Sequence, residues 1–492
     1  MKKRPVGLAS RLPQHVTCVD QAYSLRSACP TMHVLGVAPT PRGRHENTGF
    51  ATVGGSPEHE RLPNVHRHAS GRAVGQVGNH ERPKQGNESH AKTVVFVGAS
   101  VRWAARSASQ AGYRVIGIDL FGDEDTRAAC QAMHIVESPT ELMRVAHGVA
   151  DRTNATVETV GGFTGSRFGR HAAATPSGHL REDSEWGIVQ SQRLLAKSCG
   201  LLLPRQWPVN QGPVEDGPHQ ARADQPLPNC LIKRFDSSGG LGISRHIPDA
   251  SSPSCEAFAK PTSRSDAYLE ALIAGRAMGT VYLAAQEGVI CLGSCRNHTK
   301  RLPKKPFVYA GNVGPEAIHP MTQEKLDAFA TGFATQNDHR GLFNVDWIDD
   351  RSGGAWYLET NARPSGSCEV LEYSLRSRDQ LAPNQSLMGM HLDARRQREP
   401  LPSRKRLTLA HAVPLSPDSR FLKRIVYSLT SGVPRLPSVP ITQMGFTLAD
   451  VPPVGLVIKR HEPIATLLTS LERFDPLVYR SAIRSIQGSL LE

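Results

Sequence analysis

Acidic and amide side chains recur at regular spacing in residues 341–367, which read GLFNVDWIDDRSGGAWYLETNARPSGS. Two apolar runs separated by a Gly-containing loop predict a β-hairpin. Asp346 lies on its first strand, and Glu359 and Asn361 end the second, two residues apart and therefore on one face. Oxygen ligands of this kind suit Mg²⁺, which is usually held by one or two carboxylates together with phosphates. Arg363 follows two residues further on, where a cation suits a developing anion or a carboxylate.

A second segment, NCLIKRFDSSGGLGISR, combines a strand-borne cation with a loop of small residues. Lys233 ends the apolar run, and the loop after it contains Ser238, Gly239, Gly240 and Gly242. A lysine supplies a point charge for phosphate, and small residues let backbone N–H groups approach phosphate oxygens. The chain lacks the G-x-x-x-x-G-K-[ST] pattern of a P-loop. A plain glycine-rich turn is the alternative interpretation of this loop, as a polar-ended surface hairpin is of the first segment.

The two segments together resemble the catalytic parts of ATP-grasp enzymes. In that family a strand bearing an acid precedes a Glu-x-Asn strand, often with Arg two residues later. Here those positions are Asp346, Glu359, Asn361 and Arg363. The segment that begins with Lys233 looks like the phosphate-covering loop of the same family. The resemblance spans roughly residues 92–471.

The resemblance implies an adenine-binding hinge in the segment AYLEALIAG. Backbone groups from Leu269 to Leu272 would read the adenine edge, and Glu270 takes a plausible hinge position. Ala271 stands where many relatives have a second acid, which puts the ribose contact in doubt. An edge-strand charge is the alternative interpretation of Glu270.

The resemblance also implies a reaction and its cofactors. An ATP-grasp carboxylate–amine ligase would use ATP and Mg²⁺, with Mn²⁺ as an alternative metal. Lys233 would neutralise phosphate oxygens and Arg363 would stabilise the transferring phosphoryl or the oxyanion, while the metal ligands would be Asp346, Glu359 and Asn361. The partners would be a small carboxylate and an amine. The closest resemblance is to the ATP-dependent carboligase branch, parts of which resemble proteins of tetrahydromethanopterin-linked one-carbon metabolism.

Upstream of these segments, apolar runs and helical stretches alternate from residue 92 to residue 160. This β-α-β-α-β order predicts an open parallel sheet. The predicted fold class is α/β: an ATP-grasp fold with an amino-terminal Rossmann-like sheet and a small carboxyl-terminal β module. The predicted divisions are 1–90 (disordered basic tail), 91–183 (Rossmann-like domain), 184–400 (nucleotide-binding and catalytic domain) and 401–492 (carboxyl-terminal module). An amphipathic helix is predicted over residues 323–336, and residues 450–471 resemble a carboxyl-terminal stretch of ATP-grasp relatives.

Composition and charge limit the alternatives. The 492 residues carry a formal net charge of +13. About half of that excess lies in residues 1–90, which are rich in His, Gly, Pro and Ser and too poor in apolar residues to form a core. The positive charge is otherwise spread along the chain, and no nucleic-acid-binding signature is present, so the sequence disfavours a nucleic-acid partner.

The cysteine count and hydropathy bear on location. Nine cysteines, an odd number, favour reduced thiols over a disulfide framework. No apolar stretch of transmembrane length and no apolar region after the basic start is present, so neither a membrane span nor a signal peptide is predicted. We therefore expect a cytoplasmic protein, and a homo-oligomer is left open.

Two functions of other classes compete with the ligase. A nicotinamide-dependent oxidoreductase would use the first sheet, with Asp119 at the end of its second strand as a ribose-binding acid. The residues Gly98-Ala99-Ser100 do not complete the G-x-G-x-x-G pattern that such an enzyme needs. A catalytically weak ATP-binding scaffold is the second alternative, and the hinge residue Ala271 favours it.

Overall fold

The computed structural model describes residues 92–161, 185–208, 229–235, 237–246, 267–350, 352–396, 406–407, 419–436 and 438–491. The predicted basic tail, and the predicted domain boundaries near residues 183 and 400, lie outside the described residues. They therefore stay predictions.

The amino-terminal part is the predicted alternation of strands and helices. Its elements are β1 (Thr93–Val97), α1 (Arg102–Gln110), β2 (Arg114–Asp119), α2 (Glu124–Ala129), β3 (Ala132–Ile135), α3 (Pro139–Thr153) and β4 (Thr156–Thr159). The strands are parallel, in the order β3-β2-β1-β4. Strand β1 is almost entirely buried, as expected for a strand covered on both faces. The predicted parallel sheet is confirmed.

A small antiparallel sheet carries Lys233. It follows helix α4 and is built from β5, β6, β7 and β8, whose bounds are α4 (Glu185–Ser198), β5 (Gln206–Pro208), β6 (Cys230–Arg234), β7 (Ile243–His246) and β8 (Ala267–Ala271). Among the described residues the order is β5-β8-β6-β7. Strand β8 therefore has a partner along each edge, a point that bears on the predicted hinge.

A large mixed sheet forms the centre of the protein. Its longer strands are β9 (Arg276–Ala285), β10 (Gly288–Leu302), β11 (Lys305–Glu316), β12 (Gly341–Asp349) and β13 (Ala355–Asn361). They lie in the order β13-β12-β9-β10-β11. The helices next to it in the chain are α5 (Pro320–Gln336), α6 (Gly366–Ser377) and α7 (Leu387–Arg396).

The carboxyl-terminal strands continue this sheet beyond β11. The remaining elements are β14 (Arg406–Leu407), β15 (Phe421–Tyr427), β16 (Val433–Pro434), α8 (Ser438–Gln443), β17 (Thr447–Ala449), β18 (Pro463–Ser470), a 3₁₀ turn (Leu471–Arg473), α9 (Pro476–Gln487) and β19 (Leu490–Leu491). The order β11-β15-β18-β17 places the predicted carboxyl-terminal module on the central sheet itself.

An aromatic core supports the predicted metal hairpin from behind. Helix α5 is the amphipathic helix that the sequence predicts, and its Phe329 and Phe333 are buried. Phe329 packs against Tyr357 of β13, and Phe333 packs against Phe343 of β12. Burial of each such ring stabilises the fold by roughly 1.5–3 kcal/mol. The hairpin is thus fixed to a rigid layer, as a site that must hold precise geometry requires.

Candidate active site

The four residues predicted from the hairpin spacing form one connected polar cluster. Strands β12 and β13 pair antiparallel, with Asp346 opposite Glu359 and a β-bulge directly after this pair. The amide of Asn361 donates to Asp346 at 2.8 Å and to Glu359 at 3.3 Å. Arg363 donates in turn to the side-chain oxygen of Asn361 at 3.0 Å. The structure therefore brings the predicted metal ligands and the predicted catalytic arginine together.

The carboxyl of Asp346 sits in an environment that would favour a cation. Burial and the nearby charge of Glu359 raise the pKa of Asp346 to about 7. Amides of Asn344 and Asn297 donate to the same carboxyl at 2.8 Å and 3.3 Å. Two carboxyl groups that repel each other across paired strands are stabilised by a positive ion between them.

Two further observations test whether Mg²⁺ fits here. The side-chain oxygen of Asn344 is buried without a hydrogen-bond partner. Gly279 lies opposite, and a Cβ on it would come within 3.0 Å of both that oxygen and Asp346 Oδ1, so the glycine keeps this space open. Within the described ranges no cluster of three His, Cys, Asp or Glu residues could hold a metal alone. Two carboxylates, completed by phosphate oxygens and water, are a usual donor set for Mg²⁺.

Sequence reasoning missed the asparagines that surround this site. Asn312 donates to Asn297 at 2.6 Å and to Ser367 at 3.0 Å, and Tyr309 donates to Asn312. Asn344 lies two residues before Asp346, so strand periodicity could have placed it on the same face. Asn297 and Asn312 lie on β10 and β11, and they reach the site only because of the strand order.

Lys233 occupies a buried ion pair next to the hairpin. Its ammonium lies 2.7 Å from Glu270 Oε1, and Gln206 donates to the other oxygen of Glu270 at 2.7 Å. Burial lowers the pKa of Lys233, but Glu270, Tyr268 and Glu359 outweigh it and raise the pKa far above its usual value. Lys233 is therefore a fixed positive charge, and it interacts electrostatically with the predicted metal ligand Glu359.

The glycine-rich loop is fastened to strand β11. The N–H of Tyr309 donates to the carbonyl of Gly239 at 2.8 Å. Gly239 and Gly240 have positive φ angles of 61° and 74°, a region that side chains disfavour. Ser238, Gly239, Gly240 and Gly242 all line the same cleft as Lys233. The loop that the sequence predicts as a phosphate cover thus lies on the cleft wall.

We expect Gly240→Ala to displace this loop and to weaken ATP binding at least about tenfold. A Cβ at Gly240 would lie 1.9 Å from the carbonyl oxygen of Phe307, so the backbone has to move. The measurement is the dissociation constant for Mg-ATP. Gly353→Ala is the matched control, because Gly353 has a φ of 83° but open space around its Cβ position. Equal ATP affinities for the two variants would contradict a role of the loop in nucleotide binding.

The predicted hinge needs a correction at Leu269. This residue pairs with Trp207 on one edge and with Ile232 on the other, so its backbone groups belong to the sheet. Its side chain is buried, and Leu269 is absent from the residues that line the cleft. Glu270 is also buried, and both of its oxygens have partners. Ala271 and Leu272 also line the cleft, but their N–H groups donate to the carbonyls of Arg205 and Asn229 at 2.8 Å and 2.9 Å.

Asp119 does not serve the oxidoreductase hypothesis. Its carboxyl is fully buried and accepts backbone N–H groups of Phe121, Gly122 and Val101. These bonds fix the turn after β2 and the start of α1. To bind Asp119, a ribose hydroxyl would have to replace one of these backbone hydrogen bonds.

A buried charge network joins three distant parts of the chain beside the site. Arg102 donates to Glu369 at 2.8 Å and to Asp450 at 2.6 Å, and a second terminal nitrogen forms an ion pair with Glu369 at 2.7 Å. Lys423 contacts the same carboxylate, Glu369, at 2.7 Å. Arg102, Glu369, Lys423 and Asp450 all line the cleft. The network fixes the amino-terminal sheet and the carboxyl-terminal strands to helix α6.

We expect Glu369→Gln to lower the free energy of unfolding by about 3 kcal/mol at pH 7. Despite burial, Arg102 and Lys423 hold the pKa of Glu369 at about 2, below its usual 4.5. A depressed carboxyl pKa stabilises the fold above the unfolded-state pKa and loses that effect as the pH falls. The difference between wild type and variant should therefore shrink from about pH 4.5 towards pH 2 in urea unfolding. Glu324→Gln, an exposed change on α5, should show neither effect. A difference that stays constant with pH would contradict the ionic origin.

The glycine-rich loop, the metal hairpin and the charge network open onto one cleft. Its volume is 2190 Å³, and it is lined by the glycine-rich loop, the metal hairpin, the start of α6 and the charge network. This exceeds the range of roughly 300–1,000 Å³ that is usual for small-ligand sites. A nucleotide and a second substrate could occupy it together.

Comparisons with known proteins agree with this fold. No protein-family model matches the sequence, and no curated protein sequence matches it significantly. The L-amino acid ligase from Bacillus licheniformis superposes with a TM-score of 0.53 at 15% identity, over 81% of this chain and 98% of that one. N5-carboxyaminoimidazole synthetase from Staphylococcus aureus, complexed with ADP, gives 0.51 at 11% identity over 81% and 97%. N5-carboxyaminoimidazole ribonucleotide synthetase from Thermus thermophilus gives 0.51 at 12% over 81% and 99%. The predicted ATP-grasp fold is confirmed.

Proposed function

We propose that this chain, on its ATP-grasp fold, is an ATP-dependent carboxylate–amine ligase. It would convert a carboxylate into an acylphosphate with ATP and pass the acyl group to an amine. The observation that carries the proposal is the meeting of Lys233, the glycine-rich loop, and the Asp346, Glu359, Asn361 and Arg363 cluster on one cleft. Similarity of fold alone would not justify this proposal, because one fold hosts many functions.

Each residue has a role that its surroundings support. Asp346 and Glu359 would hold Mg²⁺, which neutralises phosphate charge and orients the transferred group when it is bound. Asn361 would join them once its amide turns, because its nitrogen now faces the carboxylates and its oxygen accepts from Arg363. Lys233, held by Glu270, would neutralise phosphate oxygens of ATP. Arg363 would stabilise negative charge that develops on the transferring phosphoryl or on the tetrahedral oxyanion.

The loop and the buried polar cluster would keep water away from the reaction. An acylphosphate is hydrolysed by water, so a closed site protects it. Gly239 and Gly240 hold the loop against β11, and loop closure over a bound nucleotide would complete the enclosure. Amides of Asn297 and Asn344 keep the carboxyl of Asp346 oriented at the same time.

The structural neighbours support the general reaction. One is named as a ligase of amino acids, and another was solved with ADP. The identities, at 11–15%, are too low to carry a substrate over. The carboxylate, the amine and the one-carbon pathway suggested by sequence resemblance therefore stay predictions, as do Mn²⁺ use and the cytoplasmic location. No helix among the described residues is long and apolar enough to span a membrane.

A thermal-shift series with a phosphate-release assay tests the proposal. Mg-ATP should raise the melting temperature more than ATP alone, and NAD(P)H should have no effect. Ligand at 100 times its Kd stabilises a protein by about 2.7 kcal/mol. Phosphate release should then require both a carboxylate and an amine from a panel of amino acids and small acids. A response to NAD(P)H without one to Mg-ATP would favour the oxidoreductase, and ATP binding without phosphate release from any pair would favour the scaffold.

A further inference from the structure

The cleft wall beside the charge network carries an acidic side chain that the network does not use. Asp123 precedes helix α2, is 5% exposed, and lines the cleft. No donor among the described residues forms a hydrogen bond with its carboxyl group. The carboxyl oxygens are not sealed from the cleft, so a ligand that enters the cleft can reach them.

The neighbouring carboxyl groups all have partners. Asp119 is bonded by three backbone N–H groups. Asp125 accepts backbone N–H groups from the loop that begins at Asp450, both at 3.0 Å. Asp450 itself is bonded to Arg102. Within the described ranges, Asp123 therefore differs from its neighbours in lacking a donor. The residues packed around it supply mainly negative charge.

That surrounding charge makes the position of Asp123 unfavourable without a ligand. Burial and the charges of Asp450, Asp119 and Asp125 raise the pKa of Asp123 to about 9, and Arg102 offsets this in part. The Nε of Arg102 donates to Asp450 and one terminal nitrogen donates to Glu369, while the other terminal nitrogen forms an ion pair with Glu369 at 2.7 Å. A ligand that brings both positive charge and N–H donors would satisfy Asp123.

An ammonium group fits these requirements better than a metal ion. A divalent ion needs several oxygen ligands, and both oxygens of Asp125 and Oδ1 of Asp450 already accept hydrogen bonds. In the part of the chain that the structure describes, no group of three His, Cys, Asp or Glu side chains is suited to a metal. An ammonium group needs a single carboxylate for a charge-assisted hydrogen bond.

The wall at Asp123 is continuous with the reaction centre. Arg102 bonds Glu369 of helix α6, and the first residues of that helix, Gly366 and Ser367, lie beside Arg363 on the same cleft. A molecule with an ammonium group at Asp123 would therefore lie in the compartment that the proposed ligase reaction uses.

We propose that Asp123 anchors a subsite for the ammonium group of the amine-bearing substrate. The assignment of this ligand as a substrate rests on the proposed ligase function, whereas ammonium binding itself does not. The substrate class is a small molecule with a primary amine. Asp125, Asp450 and Asp119 give the subsite its negative potential, and Asp123 provides the free acceptor.

Thermal unfolding of the full chain with methylammonium chloride tests the subsite, against sodium chloride at equal ionic strength. Methylammonium should raise the melting temperature saturably in the wild type. Asp123→Asn should bind it at least about tenfold more weakly, because a charge-assisted hydrogen bond is lost. Asp123→Ser, another residue suited to the position before a helix, should behave in the same way. Asp151→Asn, an exposed change of the same charge, should keep the wild-type response.

Two further ions and the nucleotide complete the experiment. Tetramethylammonium has no N–H donors and should give no saturable shift, and Mg²⁺ should give none that depends on Asp123. An equal methylammonium response in wild type and Asp123→Asn would overturn the subsite. A response to tetramethylammonium or Mg²⁺ that Asp123→Asn abolishes would overturn its ammonium specificity. If Mg-ATP did not raise the melting temperature of the wild type, that result would contradict the proposed function but not the subsite. The methylammonium result decides the subsite separately.

Discussion

Glu359→Gln should lower the rate of Mg-ATP-dependent phosphate release at least about a hundredfold, a loss of about 2.7 kcal/mol of transition-state stabilisation. Glu359 faces Asp346 across paired strands and supplies the more exposed of the two carboxylates. Its replacement by an amide removes a negative charge from the proposed metal site while keeping the side-chain shape. The Mg²⁺ concentration that gives half-maximal activity should rise in parallel. A phosphate-release assay at varied Mg²⁺ measures both effects.

The fold should tolerate this change. Glu359 is exposed and accepts one long hydrogen bond, at 3.3 Å from Asn361. The free energy of unfolding should therefore change by less than about 1 kcal/mol, as is usual for surface positions. Glu287→Gln, in the exposed turn between β9 and β10, is the matched control and should be fully active. Near-normal turnover by Glu359→Gln would contradict the assignment of the hairpin as the metal site.

Lys233→Met should destabilise the fold and abolish tight ATP binding. The change leaves Glu270 as a buried carboxylate without its cation. Breaking a buried ion pair in this way typically lowers the free energy of unfolding by about 3–5 kcal/mol. It also removes the fixed positive charge from the end of β6, where we propose that it neutralises phosphate, and this loss should weaken ATP binding at least about tenfold. Chemical denaturation and Mg-ATP titration measure the two effects. Lys197→Met, an exposed change on α4, should produce neither of them.

A second substitution separates these two roles of Lys233. In Lys233→Met/Glu270→Gln the unpaired buried charge is gone, and Gln206 can still donate a hydrogen bond to the residue at position 270. Most of the lost stability should therefore return, while ATP binding stays weak. If the double variant regained ATP affinity, Lys233 would be a structural partner of Glu270 and no phosphate ligand.

The sequence alone predicts the parts of the site that lie close together along the chain. Strand periodicity places Glu359, Asn361 and Arg363 on a common face, and a hairpin is short enough to bring Asp346 opposite them. The alternation of apolar runs and helices similarly predicts the parallel sheet. In each case the side-chain direction follows from local backbone geometry, which the local sequence largely dictates.

The predicted hinge shows where such local reasoning ends. An apolar run around Glu270 is compatible with an edge strand next to a nucleotide or with a central strand. The choice depends on whether another segment covers the second edge, and β5, whose Gln206 lies 64 residues before Glu270, does so. The side chain of Glu270 consequently turns to Lys233 and Gln206, and the backbone of Leu269 is committed to its neighbours.

Tertiary structure alone decides the remaining features of the cleft. Arg102 meets Glu369 across 267 residues, and Asn297 meets Asp346 across 49. Asp123 has no donor in the part of the chain that the structure describes because of the residues that separate segments place around it. Local sequence sets which way a side chain points from its own strand or helix. The partner of that side chain depends on which distant segments pack against the same face. Burial, charge pairing and the acceptor at Asp123 are therefore decided only when the whole chain is folded.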